Sequence, residues 1–207
     1  MKRQIILLSG HRGAGKDSAA DYLVRRYGYV KLSIASILKD KVAAEYNIPR
    51  SWMDSQSRKQ AILMEYPLRS GPEVDATANL IANWLRSECA ELGGHLYHTP
   101  RSLLIMEGAI KRAIQPNYWV AQVARILQVD TENSYVIPDV RFRNEVDILQ
   151  FTASETKLVR INRFGTESMD ASERDLDQYK FDHVIENVGE LEQLHSAVDN
   201  IIATKGA

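Results

Sequence analysis

Gly10-His11-Arg12-Gly13-Ala14-Gly15-Lys16-Asp17-Ser18 follows the apolar run Ile5-Ile6-Leu7-Leu8 and precedes the helical pattern Ala19-Ala20-Asp21-Tyr22-Leu23-Val24. A glycine, four residues and then Gly-Lys is the spacing of a phosphate-binding loop, and strand, loop and helix in that order is the context the motif requires. A polyphosphate needs many donors close together with no side chains in the way. Glycines let the backbone curl so that successive N–H groups point inward. The next helix offers its unpaired amino-terminal amides to the same anion, and Lys16 supplies a mobile positive charge for the outer phosphates. A glycine-rich turn that merely caps a helix is the competing reading, and it leaves the lysine spacing unexplained. Every residue from Gly10 to Ser18 is thus a candidate nucleotide contact. His11 reads as a backbone position in the loop rather than as a catalyst.

One letter departs from the pattern. Where Ser or Thr would follow the lysine and bind magnesium, the chain has Asp17, with Ser18 one place later. Magnesium takes oxygen ligands and keeps waters, so Asp17 can hold it directly or through water. Equally, a carboxylate is stabilised in the first turn of any helix.

Outward from the loop, Ile5 to Ser9 reads as a buried strand because it is continuously apolar. Lys16 to Tyr27 reads as a helix stopped by Gly28. Tyr29 to Ser33 is a short strand, and a helix from about Ala35 to Tyr46 ends before Pro49. Strand, helix, strand in this order implies right-handed crossovers and a parallel sheet. Residues from Pro49 to about Tyr97 look helical, with no strand signal. Pro72 is placed to start a helix that reaches Leu92, and Gly93-Gly94 to stop it. Such a helical excursion either covers a second substrate or packs on the core. Thr99-Pro100 is a cap followed by a proline at the first helical position, and a further helix runs from Tyr118 to Leu127.

Ser134-Tyr135-Val136-Ile137-Pro138-Asp139 is the second informative segment. In phosphate-loop proteins a strand beside the first ends in an acid close to the magnesium, and Asp139 stands in that place. A solvated strand-to-helix turn is the bland alternative. Strands follow at Lys157 to Ile161 and His183 to Ile185, and a closing helix at Leu191 to Ile202. Between the last two strands, Asn162 to Lys180 is too polar for a core. It fits a lid over phosphates, with Arg163 and Arg174 reaching in, or an exposed loop with internal ion pairs.

The totals agree with an ordinary globular chain. Of 207 residues, 44% are hydrophobic and 26% charged, and 26 basic against 27 acidic residues leave a net charge of −1. That balance gives no bulk attraction for nucleic acid or a membrane surface. With one cysteine, Cys89, no internal disulfide forms, which fits a reducing, cytoplasmic location. The apolar run at the amino end is too short for a signal peptide or a membrane span. Trp52, Tyr66 and Trp84 fit either a core or a homodimer interface.

Arginines cluster where ligands gather. Arg101, Arg112, Arg141, Arg143, Arg163 and Arg174 all fall at predicted strand or helix ends, and open parallel sheets bind ligands beyond their carboxyl ends. Guanidinium forks match phosphate oxygens. Transfer between two phosphorylated substrates needs that charge, because donor and acceptor repel and the moving group spreads negative charge. No general base is needed if the acceptor is itself an ionised phosphate.

At this point the residues resemble a family. Gly10 to Ser18, Ile34-Ala35-x-x-Leu38-Lys39, Thr99-Pro100-Arg101-x-Leu103-Leu104, Tyr118-Trp119-Val120 and Asp139-Val140-Arg141-Phe142-x-Asn144-Glu145 look like bacteriophage deoxynucleoside monophosphate kinases. Ala171-Ser172-Glu173 and Asp182-x-x-Ile185-x-Asn187 also fit. The family's acid after the loop lysine matches Asp17, whereas Gly108-Ala109 stands where the family tends to have Gly-Thr. The resemblance implies a phosphate-loop kinase fold: a three-layer α/β sandwich on a mostly parallel sheet, one domain over 1–207. It carries a helical substrate-binding insertion at about 49–97 and a polar lid at about 162–180. It implies transfer of the terminal phosphate of ATP to a deoxynucleoside monophosphate. The loop with Lys16 would bind ATP, and Asp17, Ser18 and Asp139 would organise magnesium. Lys16, Arg141, Arg112 and Arg163 are the candidate catalytic residues. Ser33, Ala35, Lys39, Arg101 and Arg143 are the candidate acceptor contacts. Two other readings keep the same loop: a kinase for another small phosphorylated acceptor such as a mevalonate phosphate, or a nucleotide-dependent switch.

Overall fold

The run Ile5-Ile6-Leu7-Leu8 becomes the central strand, buried along its whole length. The computed structural model describes residues 3–65, 87–153, 155–166 and 174–204. In chain order its elements are β1 (Ile5–Ser9), α1 (Lys16–Tyr27), β2 (Val30–Lys31), α2 (Ile34–Glu45), β3 (Met64–Glu65), β4 (Ala90–Leu92), β5 (His95–His98), α3 (Pro100–Ile114), α4 (Tyr118–Val129), β6 (Tyr135–Ile137), α5 (Arg143–Leu149), β7 (Thr156–Asn162), β8 (His183–Glu186) and α6 (Leu191–Ala203). The chain divides into two compact units, one of residues up to Ile34 together with Val120–Ala207, the other Ala35–Trp119. Among the described residues no helix is long and apolar enough to cross a membrane.

The first unit carries a five-stranded sheet in the order β2-β6-β1-β7-β8, with every pairing parallel. The fold is thus α/β, as the strand–helix alternation predicts. Ile5 sits opposite Tyr135 on one side and Thr156 on the other. The chain leaves β1 for one edge of the sheet, returns through β6, and then passes to the other side through β7 and β8. The direction of winding therefore reverses beside β1, and sheets of this kind hold ligands at the carboxyl ends there.

Ile6 and Leu8 pack with Ala20 and Leu23 of α1 and Leu194 and Val198 of α6. Ile5 and Leu7, which face the other way, are just as fully buried. Covering on both faces is why the strand is apolar without alternation. Gly28, at φ 72, closes α1 by giving its N–H to the carbonyls of Leu23 and Val24, a turn that a Cβ would strain.

In the second unit, Val42, Met53, Leu103, Met106 and Ile110 form a separate core. Thr99 caps α3: its side chain accepts from Ser102 N, Ser102 answers to the Thr99 N–H, and Pro100 takes the first helical position. The helical character predicted for 49–97 is only partly what the described parts show: residues 87–88 are helical, but strands take up other stretches. Arg50–Met53 and Arg58–Gln60 are single 3-10 turns, and β3, β5 and β4 make a three-stranded antiparallel sheet. Gly93 and Gly94 do not stop a helix but turn the β4–β5 hairpin, with φ 62 and 82. Two consecutive left-handed residues are what the favoured two-residue hairpin turn demands. Pro72, Trp84 and Tyr66 lie outside the described residues, as does most of the helix expected from Pro72 to Leu92.

His98, fully buried beside the Ser102 hydroxyl at 3.0 Å, has its imidazole pushed down to about 4 by burial. An unfolded histidine titrates near 6.5. The folded state thus binds its proton later, so the stability is complete above about pH 6.5 and is lost as the pH falls toward 4. The gap is worth about 3 kcal/mol. Urea midpoints measured at pH 7, 5.5 and 4.5 are expected to fall accordingly, and His98→Asn is expected to flatten that slope.

Candidate phosphate-binding site

The loop between β1 and α1 is built on three glycines in backbone conformations that side chains disfavour: Gly10 at φ 141, Gly13 at φ 84 and Gly15 at φ 111. Two of them are also close-packed. A Cβ on Gly10 would lie 2.2 Å from the Ile161 carbonyl oxygen, and one on Gly15 would lie 2.6 Å from Asn187 Nδ2. Asn187 uses that same nitrogen to hold the Ala14 carbonyl at 2.8 Å. Its own N–H bonds the Asn162 carbonyl, also at 2.8 Å. The carboxyl ends of β7 and β8 therefore grip the loop from outside. Gly15 begins α1 without a capping side chain, and a helix start of this kind is suited to an anion.

Lys16 folds its ammonium onto the loop, donating to the Gly10 carbonyl at 2.6 Å and the His11 carbonyl at 2.8 Å. The charge thus sits inside the curl that the glycines make.

Asp17 lies in the first turn of α1, well exposed, and its carboxylate accepts from Lys31 Nζ at 2.9 Å. Lys31 bridges to Asp21 at the same distance. Asp139 stands two residues past β6, and its oxygens accept from the Ser33 hydroxyl at 2.8 Å and from the Ile34 N–H at 3.1 Å. Ser33 and Asp139, assigned separately from the sequence to substrate and to metal, are therefore direct partners. Ser18 is exposed on α1. Among the described residues no cluster of three or more His, Cys, Asp or Glu forms a metal cage. Magnesium in phosphate sites is characteristically held by one or two carboxylates plus the phosphates themselves, a donor type that Asp17 and Asp139 both offer.

The segment after Asp139 is shaped by Glu145. This buried carboxylate accepts from the N–H groups of Arg141 at 2.8 Å and Phe142 at 3.1 Å, which fixes the turn that presents the exposed Arg141. Arg143 is tied elsewhere: its N–H bonds the Asp175 carboxylate at 2.8 Å and its Nε the Asp175 carbonyl at 3.2 Å. Arg174 sits 3.9 Å from Asp177. Residues 167–173, the middle of the expected lid, lie outside the described residues.

Four other candidates belong to the second unit. Arg101 pairs with Glu88 at 3.0 Å, Lys39 with Asp54 at 2.9 Å, and Arg112 reaches the Gly108 carbonyl at 3.4 Å. Ala35 is exposed. Trp119 also donates to the Gly108 carbonyl, at 3.3 Å.

Arg160 was not legible as a site residue, because within β7 it reads as one polar position of an alternating strand. It is buried, yet it holds four groups around the loop. Its Nη2 reaches Asp177 at 2.6 Å and His11 Nε2 at 3.1 Å, its Nη1 the Ser9 hydroxyl at 3.5 Å, and its Nε the Asn162 side chain at 3.2 Å. His11 is thus more than a backbone position: its ring accepts from a guanidinium and stands 3.5 Å from the Asp177 carboxylate. Beside the loop lies a cavity of about 410 Å³, walled by His11, Asn162, Arg163, Phe164, Glu186 and Val188. That is within the roughly 300–1,000 Å³ range of small-molecule sites.

No family model matches the chain. It is 27% identical over 186 residues to the uncharacterized protein ORF76 of Ictalurid herpesvirus 1 (strain Auburn), covering 86% of this chain. The chain spans 58% of that relative's length. Among solved structures it is similar to dephospho-CoA kinase from Campylobacter jejuni, with 12% identity over 96% of each chain and a TM-score of 0.45. It is also similar to TT1252 from Thermus thermophilus, with 16% identity over 98% of each chain and a TM-score of 0.43.

Proposed function

We propose that this chain is a nucleotide kinase that transfers the γ-phosphate of ATP to a deoxynucleoside monophosphate and releases the diphosphate and ADP. The observation that carries the reading is the loop itself. Three glycines with positive φ curl around the Lys16 ammonium at the carboxyl end of the central parallel strand. The motifs shared with phage deoxynucleoside monophosphate kinases support the choice of acceptor.

In this reading the loop amides and Lys16 orient the β- and γ-phosphates. Asp139 and Asp17 are the carboxylates that would hold magnesium, which would supply positive charge to offset that of the phosphates. Arg141 and Arg163 supply positive charge for the equatorial oxygens in flight. An oxygen of the acceptor phosphate attacks the γ-phosphorus as the bond to the ADP oxygen breaks. Because that acceptor oxygen is already ionised, no side chain has to take a proton. Glu145 and Asn187 act at one remove, the first by shaping the Arg141 turn and the second by bracing the loop.

A coupled ADP-release assay across deoxynucleoside and ribonucleoside monophosphates, with other phosphorylated small molecules alongside, tests the reading. ADP release is expected to rise at least about a hundredfold when a deoxynucleoside monophosphate is added, since an aligned acceptor replaces a bimolecular encounter with water. Acceptor-independent, slow ADP release would favour a nucleotide switch instead.

A further inference from the structure

The cavity beside the loop is electrically lopsided. Its walls carry two cationic or loop-borne groups, Arg163 and His11, the latter on the loop that encloses Lys16, and one carboxylate, Glu186. Arg160 and Asn162 stand in a row between His11 and Glu186. A ligand with a polyanionic end and a neutral, hydrogen-bond-donating end matches this polarity in one orientation only. Reversed, its phosphates would meet a carboxylate. Phe164 and Val188, which also wall the cavity, are 94% and 82% exposed, and so provide large apolar surfaces against which a flat ring can lie.

Glu186 is oriented by its neighbours. Asn162 sits directly opposite it in the β7–β8 register and donates from Nδ2 to Glu186 Oε1 at 2.8 Å. The Asn162 side-chain oxygen accepts from Arg160 Nε at 3.2 Å, and Arg160 is itself held by Asp177 at 2.6 Å. This chain of side chains fixes which way the Asn162 amide faces, and with it the tilt of the carboxylate. A carboxylate only accepts hydrogen bonds. With Oε1 engaged, Oε2 is the acceptor that a ligand in the cavity meets.

We propose that Glu186 reads the base of the donor nucleotide by accepting a hydrogen bond from an exocyclic amino group, so that the cavity selects an amino-bearing purine. The inference rests on the nucleotide-binding reading above and goes beyond it, since the loop contacts phosphates and is indifferent to the base. Selection arises because a bound analogue lacking the amino group covers that carboxylate oxygen without giving it a donor in place of water.

Titration calorimetry with magnesium separates the two readings. The probes are ATP against purine riboside triphosphate, which lacks the 6-amino group, and GTP against ITP, which lacks the 2-amino group. In at least one pair the wild type is expected to prefer the amino-bearing member by about tenfold or more, the scale of a hydrogen bond to a charged group. In Glu186→Ala that ratio is expected to fall to within about twofold. Glu186 is exposed at the sheet edge, and an unchanged thermal melt checks that the variant folds. Equal wild-type affinities within both pairs, or a preference that survives in Glu186→Ala, would overturn the assignment while leaving the nucleotide site standing. Failure of the wild type to bind any of the four triphosphates would overturn both.

Discussion

Lys16→Ala is expected to lower kcat by a factor of about 10²–10³, the scale seen when a preorganised donor to developing charge is removed. The fold is expected to survive. The ammonium's bonds in this structure are to the Gly10 and His11 carbonyls, both in a half-exposed loop where water can replace them, at a cost of about 1 kcal/mol. Because in the proposed reaction the lysine would meet the phosphates both before and during transfer, KM for ATP is also expected to rise, though by less than kcat falls. Steady-state kinetics with a parallel melting curve distinguish the two effects. A fall in kcat of less than tenfold with intact folding would remove Lys16 from the reacting groups.

Gly10→Ala is expected to have the second largest effect, and of a different kind. At φ 141 the backbone disfavours any side chain, and the new methyl would stand 2.2 Å from the backbone oxygen of Ile161. That neighbour belongs to β7, which is paired to β1 along the whole of β1, so it cannot swing aside as a flexible side chain would. Strained backbone alone costs about 1–3 kcal/mol. For a chain of this size each kcal/mol lowers Tm by about 2–4 °C, so a drop of at least several degrees is expected, together with a loss of ATP affinity. Gly93→Ala is the informative contrast. Its φ is also positive, but nothing lies within 4 Å of the added methyl. It therefore carries the conformational penalty without the collision, and it leaves the loop untouched. Calorimetric melting and ATP titration of both variants measure the difference.

The parts of the fold that could be read in advance are those that chain neighbours determine. β1 and α1 are bounded by their own punctuation, the loop glycines and Gly28, and the Thr99-Pro100 start of α3 is a local hydrogen-bond pattern. The 49–97 region misled because its strands are two to four residues long in the described parts, too short to display a period of two. The residue pair Gly93-Gly94 is ambiguous between a helix stop and a hairpin turn until the partner strand is known. The same division runs through the site. The contiguous loop declares itself. Arg160, Asp177 and Glu186 do not, because their roles come from meeting across β7 and β8 and from the return of the polar segment beside them. The arginines illustrate the limit of counting charge: Arg143 and Arg101 have carboxylate partners of their own, a pairing that placement at an element end does not reveal.

The strand order has a cost during synthesis. Ile5 finds its first sheet partners at Tyr135 and Thr156, so this apolar strand emerges from the ribosome with α1 close behind it but far ahead of either strand that pairs with it. At roughly 5–20 residues per second, that wait is about 7–30 s. For that interval the nascent amino end is a sticky ribbon, and the cell's holding chaperones are the natural agents to shield it.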